Sequence, residues 1–289
     1  MKRTMIAGML ALAAGVTGLM AQKGKDKGSD APAATAAPAA TGPKVKSAEE
    51  GKAVTALVQA QGNPDKVIAA AEDLLTKYAD TEFKDTALYM EAVSYQQKGD
   101  REKMQLYAER TVAANPKQFQ ASLMLAEATV QQTREHDLDR DEKLAKADKY
   151  ANDAISAINE AAKPAPQITD QQWTEAKKDL IAEAHDALGM SALLRKNYDG
   201  AISELKLAVE GAAHPEPAFQ VRLASAYQSA GKYDESIATA EKVMNDPLAA
   251  QQIKQIAQAI RAGSVVAKNK ASGQGATPNA PSQVEIKKP

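Results

Sequence analysis

Three aspartates at alternate positions, Asp137, Asp139 and Asp141, are the first residues in this chain whose spacing could do chemistry. Carboxylates at positions one, three and five open a hand-type calcium loop, which then needs a Gly at its sixth place and a bidentate Glu at its twelfth. Those places hold Glu142 and Asp148 here, with Arg140 and Lys143 interleaved. The cluster therefore reads as a solvated acidic turn whose charges favour the N-terminus of the helix that follows. The three histidines, His136, His185 and His214, stand apart from one another, and none has the H-E-x-x-H spacing of a metal site. The lone tryptophan, Trp173, either covers a junction between structural units or offers a stacking face to a sugar. There is no Gly-rich phosphate loop, no G-x-S-x-G elbow and no S-x-x-K set with its partners. With no cysteine, disulfides, thiolate ligands, thiol nucleophiles and a lipid-modified N-terminal Cys are all excluded. The chain is expected not to be an enzyme and to carry no cofactor and no metal.

The 289 residues are 44% hydrophobic but only 4% aromatic, so a core must be built of Ala, Leu, Val, Ile and Met. Alanine-rich helices favour close helix-on-helix packing. A formal net charge of −1 gives no support to nucleic acid as a partner, which usually shows as a basic face.

The ends differ in composition from the middle. Residues 1–21 read as a signal peptide: Lys2 and Arg3 precede an apolar run from Met5 to Met20, with cleavage expected after Ala21. The alternative is an uncleaved anchor, although the run is shorter than the ~20 residues of a bilayer span. Membrane association is expected only through that segment. Residues 22–47 form a linker with Lys23, Lys25 and Lys27 followed by Ala/Pro repeats, too poor in large apolar residues to fold. Prolines 32, 38 and 43 make it semi-stiff, either a spacer or a leader left by export. Residues 263–289, rich in Gly, Ser, Pro, Asn and Gln toward the end, are expected to form a disordered tail.

Between them, residues 48–262 carry helical periodicity throughout. Val54, Leu57 and Val58 give the i, i+3, i+4 stripe of an amphipathic helix, and Val67, Ile68, Ala71, Leu74 and Leu75 give the next, after a Gly62-Asn63-Pro64 turn. A second hairpin spans about Asp85 to Gln118 around Gly99-Asp100. A third is split by an insertion, Thr133 to Glu142, and ends at Lys163-Pro164-Ala165-Pro166. Thr169-Asp170 caps a long helix running into Ala182. Two copies then follow one pattern: Leu188, Tyr198, Ala201 and Ile202 are answered by Leu223, Tyr233, Ser236 and Ile237, each 35 residues on. A fixed period in the mid-thirties is the mark of a helical-hairpin repeat.

These copies resemble the tetratricopeptide repeat (TPR) family. Leu223, Ala224, Tyr227, Gly231 and Tyr233 follow its pattern, and Pro247 closes the unit. In the copy before, Ala192 replaces the first-helix tyrosine and Lys196 the turn glycine. In the Asp85 copy, Glu91 replaces the leucine and Arg101 the tyrosine after the turn. The resemblance implies an all-α fold, a right-handed superhelix (α-solenoid) of about five helix-turn-helix hairpins with a C-terminal capping helix.

It also implies a concave groove lined by the first helix of each hairpin. Its positions would be Tyr89, Met90, Val93, Gln96 and Gln97 in the second unit, and Leu123, Met124, Glu127, Val130 and Gln131 in the third. The fourth would offer Asp186, Met190, Leu193 and Leu194, and the fifth Val221, Arg222, Ser225 and Gln228. Only Arg222 could act in the family's clamp on a C-terminal carboxylate. A lining of Met, Leu and Gln suits adaptable binding of an amphipathic helix or extended segment, unless those side chains pack between helices instead. The resemblance thus implies a protein-interaction scaffold or adaptor of the bacterial cell envelope, exported to the periplasm or secreted, with a protein partner. The alternatives are a self-associating structural envelope protein, a homo-oligomer tethered by its tails, or a sugar-binding or enzymatic protein using Trp173.

Overall fold

Eleven helices and no strands account for residues 42–272, the part described by the computed structural model. They are α1 (Ala48–Gln59), α2 (Pro64–Lys77), α3 (Lys84–Lys98), α4 (Arg101–Ala114), α5 (Phe119–Gln132) and α6 (Arg140–Glu160). After these come α7 (Asp170–Leu194), α8 (Tyr198–Gly211), α9 (Pro217–Ser229), α10 (Tyr233–Asn245) and α11 (Gln251–Ala271). Each helix packs on the next, so α1–α2, α3–α4, α5–α6, α7–α8 and α9–α10 form five hairpins, with α11 laid against α9 and α10. The architecture is an α-solenoid.

Local chemistry starts these helices where the turns require. Ser47, Asn63, Asp100 and Asn197 each accept a backbone N–H of the first turn, a cap that contributes on the order of 1 kcal/mol. Pro64 stands at the start of α2, where its missing N–H costs nothing. Thr169 and Gln172 close a reciprocal capping box at the head of α7. That helix runs 25 residues, the long element expected there.

Small side chains let the helices approach. Ala71, Ala87, Ala92, Ala108, Ala126, Ala154, Ala184, Ala201, Ala224 and Ala240 have no exposed surface, with Leu57, Leu74, Leu125, Leu144 and Leu205 filling between them. The apolar clusters succeed one another along the stack rather than merging into one centre, as a quasi-one-dimensional fold requires.

The helical region begins at Ala48 as expected, but it ends later than Ala262, and the residues just ahead of it are not free of the fold. Ahead of α1, Val45 packs on the first apolar cluster, the Lys44 N–H donates to Glu82 at 2.9 Å, and Lys46 pairs with Asp80 at 2.7 Å. The last residues of the 22–47 linker are therefore fastened to the α2–α3 loop. At the other end α11 continues nine residues past Ala262, because Ser264 is fully buried against α9 and α10. The Ser236 hydroxyl donates to the Ala224 carbonyl and lies 2.8 Å from the Ser264 hydroxyl, while Gln228 donates to Ser264 and to the Ile260 carbonyl. This polar seam holds the helix through residues 263–271, which composition assigned to the tail. The signal segment 1–21, the linker up to residue 41 and the tail from residue 273 lie outside the described residues. Among the described residues no helix is long and apolar enough to cross a membrane.

Candidate interaction groove

From the third hairpin on, the first helices of successive hairpins lie closer to one another than the second helices do. Close backbone contacts link α5 to α7, α7 to α9 and α9 to α11, with no comparable contact joining α6 to α8 or α8 to α10. A stack whose one layer is drawn together bends toward that layer, so the first helices line the concave side. The face they present there is fixed by helical spacing: Glu183, Asp186, Met190, Leu193 and Leu194 recur on one side of α7.

The expected groove residues divide into three groups. Met90 is buried in the cluster shared with α1 and α2, and Tyr89 is buried too. Met124 packs beside Tyr107, Met190 packs on Val130 and Leu144, and Leu193 packs on the Ile202–Leu205 cluster. Arg222 and Gln228 are held by neighbours, the first by Asp186 at 2.6 Å and the second by α11. Gln96, Gln97, Glu127 and Gln131 stand exposed, Gln131 donating to Glu127 at 2.8 Å. Most of the methionine and leucine in that set is therefore used between helices, and what faces the groove is more polar than a Met- and Leu-rich lining.

It is also acidic. Burial pushes the Glu183 carboxyl up to about 8, and the charges of Glu127, Glu216, Asp179 and Asp186 add to the effect. Asp186 is 5% exposed. Burial holds its carboxyl at about 6 even though the Arg222 guanidinium opposes that rise; Glu127 and Glu216 push the same way as burial. Burial raises the Tyr89 phenol as well, with Glu183 adding its charge. A carboxylate in low dielectric without a close cation keeps its proton more readily than one in water. Glu183 was not among the residues expected in the groove. The signal for it was its place three residues before Asp186 on the same helix face.

Beside this patch, at the C-terminal end of α7, lies a cleft of about 290 Å³ between Leu193, Leu194, Tyr198, Ser225 and Ser229, with Glu135 and Lys196 at its edge. Those last two form an ion pair at 2.7 Å.

A scan against protein-family models and a search of curated proteins each returned no match. Among solved structures, a thermophilic TPR protein of Thermus thermophilus is similar at a TM-score of 0.48 and 21% identity, covering 73% of this chain and 98% of that one. The hairpin architecture rests on the packing of this chain itself.

The remaining candidates resolve into structural roles. In the Asp137–Asp141 turn, Lys143 sits 3.0 Å from Asp137 and 2.9 Å from Asp139, supplying the positive charge those carboxylates attract. Among the described residues no cluster of His, Asp and Glu could hold a metal ion. His185 lies 2.7 Å from Glu204, binding α7 to α8, and His214 is fastened to Asp179 through both its backbone and its ring. Trp173 donates to the Ala161 carbonyl at 3.4 Å and lies under Lys177, covering the junction between the third and fourth hairpins.

Proposed function

We propose that this protein is a non-enzymatic interaction scaffold that holds a segment of a protein partner in the groove of its first helices. The observation that supports this reading is the layer formed by α5, α7 and α9, whose inner faces leave Gln131, Glu127 and the α7–α9 cleft open to solvent beside a packed core. An inner surface of rigid helices can read a partner without any moving part. The basic leader of residues 1–21 supports an exported location, in the envelope of a bacterium.

The test is capture in the native host. Full-length tagged protein would be cross-linked and its co-purifying chains compared with those of a Gln97→Trp and Gln131→Trp variant, which blocks the groove sterically without changing its charge. One stoichiometric protein lost from the variant, at unchanged melting temperature, is the expected result. Recovery of the protein itself alone would move the assignment to the self-associating structural reading.

A further inference from the structure

We propose that a segment of this same chain, residues 284–288, occupies the cleft between α7 and α9, with Val284 and Ile286 against its apolar wall and Glu285 and Lys287 at its rim. This deepens the scaffold reading and rests on it for its consequence: a partner's segment must displace the chain's own before it can use that part of the groove.

The cleft has the make-up of a site for a short extended segment. Leu193, Leu194 and Tyr198 form its apolar wall, and Ser225 and Ser229 add hydroxyls on the α9 side that a bound backbone can use. At about 290 Å³ it has room for a few side chains and not for a folded element. Glu135 and Lys196 stand at its edge, 2.7 Å apart and both exposed, one charge of each sign. An exposed pair of this kind is weakly held and exchanges partners readily.

The fold brings the segment within reach. Gln228 near the end of α9 donates to the Ile260 carbonyl and to Ser264, and Lys268 pairs with Asp234 at the head of α10. The C-terminal end of α11 therefore stands beside the α9–α10 turn, on the same edge of the array as Ser229 and the cleft. Ala271 lies seven residues past Ser264, about 10 Å along the axis. From α11 to the seam between α7 and α9 is about one and a half helix spacings, roughly 15 Å. Residues 273–283, outside the described residues, can span at most about 40 Å, twice what is needed. Among residues 272–289 the large apolar side chains are Val284 and Ile286. Bound in extended form, these two share one face and Glu285 and Lys287 the other. The apolar pair then meets the wall, and the rim supplies Lys196 for the acid and Glu135 for the base. A segment tied this close meets the cleft at an effective concentration on the order of millimolar, which a free partner rarely matches.

Cross-linking on the full chain tests this, and because the sequence has no cysteine an introduced pair supplies its only thiols. Ser229→Cys places one at the exposed edge of the cleft, and Gln283→Cys places the other just ahead of the segment. Disulfide formation is followed in dilute solution on non-reducing gels, which separate links within a chain from links between chains. The expected result is a link within one chain that forms at least about tenfold more slowly once Val284→Ser and Ile286→Ser are added, since the tether is unchanged and only the apolar anchors are lost. An equal rate in that variant would overturn the proposal, and so would links that join two chains instead of one. If the anchors make no difference while the Gln97→Trp and Gln131→Trp variant still loses its captured partner, the scaffold reading stands and the cleft is not occupied by its own chain. If the anchors matter while that variant loses nothing, the occupancy stands and the scaffold reading falls.

Discussion

Glu91 stands where the repeat pattern puts a leucine, and Leu223 occupies the equivalent place in the fifth hairpin. Its side chain is fully buried and neither carboxylate oxygen has a hydrogen-bond partner among the described residues. Burial, with a smaller contribution from Glu72 and against the pull of Arg110, pushes its carboxyl up to about 8. A carboxyl whose pKa is higher folded than unfolded contributes stability in full below the unfolded value, and loses it as pH rises through the folded one. Glu183 and Asp186 act in the same sense, with folded values of about 8 and about 6. The melting temperature should therefore fall between about pH 5 and pH 9. Glu91→Leu should flatten that slope and stabilise the chain by about 1–3 kcal/mol at the alkaline end. Denaturant titrations at both pH values would check this, and an unchanged or steeper slope would show that Glu91 finds a partner.

Lys196 makes a second residue-scale case. It has φ 60°, the left-handed conformation that Gly99 and Gly231 take with φ 74° and 73° at the equivalent turns. The three turns share their hydrogen bonds: the residue at the bend donates three back, and the next residue donates five back. A left-handed lysine costs about 1–2 kcal/mol, which glycine avoids at a smaller entropic cost. Lys196→Gly should stabilise by about 0.5–1 kcal/mol in thermal unfolding, since the exposed pair with Glu135 contributes little.

At the scale of helices, the fourth hairpin exchanges sizes with its neighbours. Ala92 and Ala224 face the places of Ala108 and Ala240, whereas Gly189 faces Leu205. A Cβ built on Gly189 would lie 2.5 Å from Leu205 Cγ. Gly189→Ala should therefore destabilise by about 1–3 kcal/mol despite alanine's better helix propensity. In the background of Leu205→Ala the same change should become neutral or favourable. A double-mutant cycle measures the difference, and additivity would mean that α7 and α8 do not meet there.

The helices were legible because turns and stripes are local. Gly62, Gly99, Gly231, Pro64 and the Thr169 cap each announce a helix end by their own chemistry, and the Val54–Leu57–Val58 stripe announces a buried face. Local reading failed where a distant neighbour decides. Ala262-Gly263-Ser264 looks like the end of a helix, yet a Cβ on Gly263 would lie 2.8 Å from Gln228, and Ser264 is a partner of Ser236. The same limit hid the charge of the groove. Which side chains of a helix face are covered depends on the distance to the next hairpin, and that distance is set by Ala and Gly pairs far apart in sequence.

For the whole molecule, α11 closes the stack. A chain ending at Ala262 would keep Ala257 in place but lose Ser264, leaving Ser236 without one of its contacts and Gln228 without one of its acceptors. Such a truncation should lower stability by about 1–2 kcal/mol in thermal unfolding. No change would mean that water replaces the seam. Because stability in such an array sums over neighbours, the loss should fall on the last hairpin and spare the first.

The fastening ahead of α1 has a mechanical meaning. Lys44 and Lys46 join the residues ahead of α1 to Glu82 and Asp80, so a pull on the chain from that side is shared between α1 and the α2–α3 loop. Both side chains of the Lys46–Asp80 pair are solvent-exposed, and such a link yields early. Once it parts, the force falls on α1, which meets the rest of the array mainly through its neighbour α2 and the apolar cluster they share with α3. The first hairpin is thus the part of the array that a pull from its N-terminal side would peel away first, while α5, α7 and α9 keep their packing on one another.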